Sequence, residues 1–314
     1  MGQQNLSRSQ VRWIVFGLIS AFIAMGVYFF PGDDLKISNL TSDLPYEAKW
    51  EIPALAEVQK ARLNEILNQT FFYSGEGGQS YVFLSADQRY VLKFFKFRRF
   101  RPSFFVKMLP DIALWHSYRN KHIAKREQKL VTAFTGYKLA YDLHRQESGL
   151  IFIQLNPSDI SRKVTLVDKR HFKRVVNLKN VSYIIQEKGE VLSAALATLL
   201  DQRDLERAKQ RLDQLFDLYL SEYRKGIYDQ DHGVMHNIGV VEDRLFHLDA
   251  GKFIQDEHMK QPEYYQKDLT KIALKVQSWI DRKYPQYSQA LNQSIEKKLS
   301  QLFGKQFTLP ITTS

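Results

Sequence analysis

The segment from Gly226 to Phe253, GIYDQDHGVMHNIGVVEDRLFHLDAGKF, is the part of the chain that decides its predicted fold. Its composition predicts a loop with acidic and amide side chains, then a short strand, then the turn Asp249-Ala250-Gly251. Asparagine and aspartate oxygens are ligands of the kind that Mg²⁺ takes when it bridges phosphate groups. Because Asp, Asn and Gly are also ordinary turn residues, this segment has to be weighed with the rest of the chain.

A glycine-rich turn lies upstream, between two predicted strands. Gly75, Gly77 and Gly78 stand in the segment GEGGQSYV, and Lys93 follows 18 residues after Gly75. Glycines let the backbone approach phosphate oxygens, and a lysine supplies positive charge to them. A hairpin glycine or a strand lysine alone is ordinary. The pair at this spacing is fairly specific for a phosphate site.

Hydrophobic periodicity predicts strands first and helices second. The predicted strands are Phe71–Ser74, Ser80–Ser85, Tyr90–Phe95, Leu150–Leu155, Lys163–Val167, Phe172–Leu178 and Ser182–Gln186. The predicted helices are Ala54–Gln69, Asp111–His144 with a possible break near Gly136, Glu190–Leu200, Arg203–Lys225, Glu263–Lys283 and Tyr287–Phe303. This order predicts an α+β fold of two lobes.

Taken together, these motifs resemble the protein kinase-like superfamily. Lys93 matches the strand-3 lysine of that family, and Asn237 and Asp249 match its two metal ligands. The resemblance covers roughly residues 68–274. It implies a small antiparallel β lobe, a larger helical lobe, and ATP with Mg²⁺ as cofactors. The short segment after Asp249 is similar to the aminoglycoside-phosphotransferase and lipopolysaccharide-kinase branches, whose substrates are small molecules or glycolipids.

The resemblance implies roles for four further residues. Glu127 would hold Lys93 in place, although it could equally be a surface glutamate of a helix. Gln186 would stand at the mouth of the nucleotide pocket. Glu187 and Lys188 would offer backbone groups to adenine. The ordinary alternative for these three is a strand that leads into a helix.

The catalytic base departs from the family pattern. The family places an aspartate five residues before the asparagine, where this chain has His232. Asp231 is one residue away and Asp229 is three away, and we predict that Asp231 is the base. Histidines in this polar loop predict hydrogen bonding rather than a zinc site.

Two other hypotheses stay open. If no base is present, the chain is a pseudokinase that acts as a membrane-tethered binding or scaffold module. The turn Asp249-Ala250-Gly251 favours this interpretation, because it has alanine where the family's Asp-Phe-Gly motif has phenylalanine. Alternatively, the chain is a membrane protein in which the glycine loop and Asp249-Ala250-Gly251 are coincidental turns.

A membrane anchor is predicted near the N-terminus. Residues 13–30 (WIVFGLISAFIAMGVYFF) contain no charge, and this length is at the short end for crossing a bilayer. Arg8 and Arg12 precede the segment, so the positive-inside rule favours a cytoplasmic N-terminus and places the rest of the chain across the membrane. That placement conflicts with the use of ATP, which is scarce outside the cytoplasm.

The overall composition narrows the possible functions. The chain has no cysteine, which excludes disulfides, cysteine-ligated metals and thiol catalysis. Its net charge is +11, and residues 93–130 hold 11 Lys or Arg against 2 Asp or Glu. This region predicts contact with anionic lipid headgroups, whereas nucleic acid is disfavoured because no known binding motif accompanies it. The predicted division is a tail (1–12), a transmembrane helix (13–30), a linker (31–53), a small lobe (54–188) and a large lobe (189–314).

Overall fold

The computed structural model describes residues 13, 16–20, 37–42, 44–103, 106, 108, 113–158 and 160–310. The chain divides into two compact units, Met1–Ile37 and Ser38–Ser314. Residues 13 and 16–20 are helical, but most of the predicted membrane helix and part of the predicted linker lie outside the described residues. Among the residues that are described, no helix is long and apolar enough to cross a membrane.

A seven-stranded sheet in the order β4-β7-β3-β2-β1-β5-β6 forms the first part of the second unit. Its strands are β1 (Thr70–Glu76), β2 (Ser80–Ser85), β3 (Tyr90–Phe95), β4 (Leu150–Gln154), β5 (Lys163–Val167), β6 (Lys173–Asn177) and β7 (Tyr183–Glu187). All seven predicted strands are therefore formed, with ends that shift by a few residues.

The sheet is mixed rather than antiparallel, which corrects the predicted small antiparallel lobe. Strands β1 and β5 run parallel, with Phe71 paired to Leu166, while the other pairs are antiparallel. A parallel pair needs a long crossover. Here the long helix after β3 and then strand β4 supply it.

Alternating burial explains why β2 and β3 form the centre of this sheet. In β2, Tyr81, Phe83 and Ser85 are buried while the residues between them are only partly so. The rings of Phe83 and Phe94 meet edge-on, 5.7 Å apart. Alternation of this kind fits a sheet with one well-packed face.

The helices described between residue 37 and β4 are α1 (Ile37–Leu40), α2 (Glu57–Leu67), α3 (Phe97–Phe100) and α4 (Ala113–Leu143). Helix α4 is continuous over 31 residues, so the predicted break near Gly136 is wrong. A core that includes Phe95, Phe134 and Phe253 joins α4 to the sheet and to the segment after Asp249.

The rest of the chain is mostly helical. Its helices are α5 (Leu192–Asp201), α6 (Leu205–Arg224), α7 (Val234–Asn237), α8 (Pro262–Lys283) and α9 (Pro285–Phe303). The Asp204 side chain caps α6 by accepting a hydrogen bond from Arg207 N, and proline at the first position of α8 and of α9 fixes where each begins. Apolar stripes on α5, α6, α8 and α9 share one buried core.

Two small sheets carry the segment that the sequence singled out. Strands β8 (Glu190–Val191), β10 (Ile238–Val241) and β11 (Arg244–His247) form one, and β9 (Ile227–Asp229) pairs with β12 (Phe253–Gln255) in the other. Residues 230–237, which include helix α7, therefore connect β9 of one small sheet to β10 of the other. This α+β architecture, a large mixed sheet followed by helices, is compatible with a kinase-like fold.

Candidate phosphate-binding cleft

The glycine-rich turn joins β1 to β2 and is tied to the start of the sheet. Gly77 N donates to Ser80 O (2.9 Å), and Lys96 N donates to Gln79 O (2.8 Å). The buried Lys96 ammonium pairs with Glu76 at the tip of the turn and lies 4.6 Å from the centre of the Tyr81 ring. These contacts of Lys96 therefore restrain the glycine-rich turn. The sequence analysis did not select Lys96.

A cavity of about 30 Å³ lies beneath this turn. It is lined by Gly77, Gly78, Gln79, Ser80, Lys93, Phe95, Tyr137, Ile184 and Asp249. The structure thus brings together two of the predicted loop glycines, the predicted lysine and the predicted metal aspartate, although 156 residues separate the lysine from the aspartate in the chain.

Lys93 points from the middle of β3 towards the Asp249 segment. Its Nζ donates a hydrogen bond to the Leu248 carbonyl oxygen, and its backbone pairs with Val82 and Ile184 on the two neighbouring strands. Burial lowers the pKa of Lys93, and the negative charge of Asp249 opposes that shift. A cation held beside a carboxylate at the edge of a cavity is suited to contact phosphate oxygens.

Asp249 is exposed to the cleft and is oriented by two donors. Its Oδ1 accepts hydrogen bonds from Tyr137 Oη and from Gly251 N, both at 2.9 Å. Burial, together with the charge of Asp249, raises the pKa of Tyr137 well above its usual value, so this phenol keeps its proton. Tyr137 on α4 thus fixes Asp249, a role that the sequence analysis missed.

Gly136 brings α4 into direct contact with the Asp249-Ala250-Gly251 backbone. A Cβ atom at Gly136 would lie 2.2 Å from Ala250 O and 3.0 Å from Phe253 N. Only glycine permits this close approach of α4 to the turn. Packing therefore explains why glycine occurs at position 136 of a continuous helix. A glycine inside a helical pattern was the signal in the sequence that could have indicated such a contact.

Asn237 ends α7 and is joined by its backbone to the residue before Asp249. Leu248 N donates to Asn237 O (2.7 Å), and Asn237 N donates to Gly233 O (2.7 Å). The adjacent pairing of Ile238 with His247 keeps these two segments side by side. The Asn237 side chain is partly exposed and does not line the 30 Å³ cavity.

The two candidate bases have different surroundings. Asp231 is partly exposed, and its Oδ2 accepts from Lys252 Nζ (2.9 Å). Asp229 is buried on β9 and accepts from Asp231 N (2.8 Å) through Oδ1. His232, at the position of the family's aspartate, lies 2.9 Å from both carboxylate oxygens of buried Asp268. Of these, Asp231 is the carboxylate that an acceptor could reach.

Lys252 adds a cation that the sequence analysis did not select. The hydrogen bond to Asp231 is the main cause that raises the pKa of Lys252, and the charges of Asp249 and Asp229 act in the same direction. Lys252 therefore lies in the combined field of three carboxylates. It is about half exposed, where an incoming phosphate could contact it.

The structure does not bring Glu127 to Lys93. Glu127 is exposed on α4, and no ion pair between the two occurs in the described part of the chain. The predicted role of Glu127 therefore needs correction. The position on α4 that faces the cleft is occupied, ten residues later, by Tyr137.

The predicted adenine contacts also need correction. Gln186 is buried and donates to Ser148 O (2.6 Å) and His247 O (2.8 Å), so it braces the fold instead of lining an open pocket mouth. Glu187 N donates to Gly149 O, and Lys188 N donates to Arg89 O. Both backbone donors are thus already used within the protein.

Burial of Asp229 allows a test by pH. Burial raises its pKa to about 7, Glu222 adds to the rise and His247 opposes it. Between the unfolded value near 4 and about 7, the folded state holds a proton that the unfolded state lacks, so the contribution of Asp229 to stability falls as pH rises. Asp229→Asn removes this dependence. We expect the variant to gain about 2–3 kcal/mol relative to the parent between pH 5 and pH 8, measured by urea unfolding with EDTA present. If the difference in free energy of unfolding between the variant and the parent were equal at pH 5 and pH 8, the raised pKa of Asp229 would be refuted.

The chain is only weakly similar to known proteins. No protein-family model and no curated protein matches the chain. Similar solved structures include the bifunctional kinase-methyltransferase WbdD (16% identity, 74% of this chain and 44% of that one, TM-score 0.34). WbdD with the kinase inhibitor LY294002 is also similar (15%, 72% and 45%, 0.33), as is the Rv3197–erythromycin complex from Mycobacterium tuberculosis (14%, 93% and 75%, 0.34).

The chain spans less than half the length of these WbdD chains. With TM-scores this low, the likeness carries no argument about the site. The assignment of the cleft rests on the contacts described above.

Proposed function

We propose that the chain is a kinase-like phosphotransferase that moves the γ-phosphate of ATP to a hydroxyl of a saccharide, a lipid or a protein. The observation that carries this proposal is the single cleft in which Gly77, Gly78, Lys93 and Asp249 meet. These four residues supply a close backbone approach, a cation and a carboxylate. All three are needed to hold a triphosphate.

The roles of the residues follow from their positions. Lys93 would contact the α- and β-phosphates, and Lys252 is placed to screen the transferred group. Asp249 and Asn237 offer the hard oxygen donors that fit Mg²⁺, which when bound would neutralise charge on the phosphates. Asp231 would orient the acceptor hydroxyl. Catalysis would come mainly from positioning and electrostatic stabilisation.

The glycine turn has to move before a nucleotide can enter. Small-molecule pockets typically have volumes of about 300–1,000 Å³, whereas this cavity has about 30 Å³, enough for one or two water molecules. The ion pair between Glu76 and Lys96 keeps the turn close to the sheet. A Cβ atom added at Gly78 would meet no atom within 4 Å, so the tip of the turn has space to move, whereas Gly75 is paired with Val82 in the sheet.

Lys93→Met tests the nucleotide site. Because burial disfavours the Lys93 ammonium, we expect the ligand-free variant to be as stable as the parent or more so. In the parent, ATP with Mg²⁺ at 100 times its dissociation constant should add about 2.7 kcal/mol, a rise of several degrees in Tm. We expect Lys93→Met to lose this rise. Lys267→Met, at an exposed position, should keep it. No rise with any nucleotide in the parent would overturn the proposal.

A pseudokinase scaffold is the second candidate, and the structure offers observations in its favour. The cavity is small, the backbone donors of Glu187 and Lys188 are used internally, and Asp231 is paired with Lys252. A pseudokinase would bind ATP without releasing or transferring the γ-phosphate. Phosphate release and transfer, measured on protein that shows the ATP-dependent rise in Tm, separate the two candidates.

We further propose that residues 13–30 anchor the chain in a membrane, with a cytoplasmic N-terminus, and that residues 93–130 contact anionic lipid. The start of α4 supports the second point, because Trp115 and Tyr118 are exposed there (39% and 49%) in a basic segment. We expect vesicles with anionic lipid to retain the chain more strongly than neutral vesicles do, and added salt to weaken the difference. Equal retention on both kinds of vesicle would contradict the lipid contact. A cytoplasm-active reporter fused after Ser314 would show on which side of the membrane the C-terminal part of the chain lies.

A further inference from the structure

Three buried side chains that the proposed reaction does not use converge behind the cleft. His144 directly follows α4, Glu222 lies near the end of α6, and His247 ends β11. All three are fully buried. One ligand atom from each, an imidazole nitrogen or a carboxylate oxygen, lies within 4.8 Å of the other two.

Four polar atoms of this cluster lack hydrogen-bond partners. His144 Nε2, Glu222 Oε2 and both ring nitrogens of His247 form no hydrogen bond with the residues that the structure describes. His247 Nε2 is 3.0 Å from Glu222 Oε2, yet the two groups are not aligned for a hydrogen bond. Buried polar atoms are seldom left unpaired, because each has lost its water without compensation. Four such atoms at one place indicate that something else binds there.

We propose that His144, Glu222 and His247 bind one divalent transition-metal ion, with Zn²⁺ the best match. Two imidazole nitrogens and one carboxylate oxygen form a donor set typical of Zn²⁺. The fourth position of a tetrahedral site is left to a buried water molecule. This site is distinct from the Asn237–Asp249 pair, whose oxygen donors suit Mg²⁺.

Glu147 supplies the support that a metal-bound histidine usually has. Such a histidine donates its other ring N–H to a carboxylate or carbonyl oxygen. His144 Nδ1 lies 3.7 Å from Glu147 Oε2, slightly beyond hydrogen-bond distance. The backbone amide of His247 donates to the backbone carbonyl of Glu147 (2.7 Å), which holds His247 beside this segment. Lys225 Nζ donates to Glu147 Oε1 (2.6 Å) but also lies 3.1 Å from His144 Nδ1. Lys225 can donate only to an unprotonated Nδ1, so this contact places the His144 proton on Nε2. Metal binding through Nε2 therefore requires the other tautomer, in which Nδ1–H faces Glu147 and the Lys225 ammonium moves away from the ring.

The ion would have a structural role. It would join the end of α4, helix α6 and strand β11, which ends two residues before Asp249. Because no side chain of the cluster reaches solvent, the bound ion would fix the base of the cleft without meeting the acceptor. The inference does not depend on phosphate transfer, since a scaffold would use the same ion.

The test is metal analysis of the full chain, purified through a tag that contains no histidine. We expect about one equivalent of Zn²⁺ per chain after loading and dialysis. EDTA should lower the Tm by several degrees, and Zn²⁺ or Co²⁺, but not Mg²⁺, should restore it. Bound Co²⁺ should also show the visible absorption of a tetrahedral site.

Two variants locate the ion. Glu222→Gln preserves an oxygen that can accept from Asp229 N, as Glu222 Oε1 does at 2.8 Å, but removes the charge. We expect it, like His144→Gln, to lose the metal, whereas exposed His258→Ala should retain it. If either cluster variant is unfolded, the EDTA and Co²⁺ experiments on the parent still decide. A parent that holds no Zn²⁺ or Co²⁺ and shows no response of Tm would overturn the proposal, and so would metal retained in the folded Glu222→Gln, His144→Gln double variant.

Discussion

Asp249→Asn is expected to lower phosphate transfer by at least about 100-fold and to abolish the Mg²⁺-dependent stabilisation by ATP. The change removes the negative charge that would bind the cation. It retains an oxygen able to accept the 2.9 Å hydrogen bonds from Tyr137 and Gly251. Loss of activity without loss of folding would therefore identify the charge, rather than the shape, as the functional feature. The measurements are the rate of γ-phosphate transfer and the shift of Tm with ATP and Mg²⁺.

Asp243→Asn is the matched control for this prediction. Asp243 lies in the turn between β10 and β11, its side chain is 83% exposed and it pairs only loosely with Arg211 (3.4 Å). Arg211 is buried, but it also donates to Gln214 Oε1 and Glu242 O. Asp243→Asn keeps an oxygen that can accept from Arg211, so this variant should behave like the parent. An Asp249→Asn protein that still transfers phosphate at the parent rate would show that Asp249 does not bind the metal.

Gly136→Ala is expected to destabilise the protein by about 2 kcal/mol and to lower the Tm by several degrees. Alanine in place of glycine normally stabilises an exposed helix by about 1 kcal/mol, so the predicted sign is opposite. The reason is the 2.2 Å distance between the new Cβ and Ala250 O. A backbone oxygen cannot rotate away as a side chain can. Either α4 or the Asp249-Ala250-Gly251 turn must move, and nucleotide binding should weaken as well.

Thr135→Ala provides the control, because Thr135 is exposed on the same helix, one residue earlier. Its change tests helix propensity alone and should leave stability equal or slightly higher. Thermal and urea unfolding of both variants measure whether only Gly136→Ala lowers the stability. A Gly136→Ala protein more stable than the parent would show that α4 does not press against the turn.

Local pattern was enough to predict the main elements of the fold. Short runs of aromatic and β-branched residues between turn residues predicted the first sheet strands, and an apolar stripe predicted helix α6. Gly77, Lys93 and Asp249 were also selected from their residue types and spacing, and the structure places all three around one cavity. The sequence analysis did not foresee the parallel β1–β5 pair, since register and direction depend on where a long crossover returns to the sheet.

The positions of the supporting side chains could not be predicted from spacing. Glu127 was chosen because the family has a glutamate on the corresponding helix, but that face of α4 is exposed and Tyr137 faces the cleft instead. The direction of a helical side chain depends on the rotation of the whole helix, which is set by its packing. Gln186 was assigned to a pocket mouth, and its burial against His247 O depends on contacts between segments 61 residues apart.

The sequence by itself determined the α+β class and indicated the glycine turn, Lys93 and Asp249 as candidate site residues, since these follow from local periodicity and from residue chemistry. Only the tertiary structure decided which partners surround them. It placed Tyr137 and Gly136 against the Asp249 turn, and it paired Asp231 with Lys252. It also gathered His144, Glu222 and His247, up to 103 residues apart in the chain, into one buried cluster. These arrangements depend on how distant elements pack, and packing is a property of the whole chain that no short segment encodes.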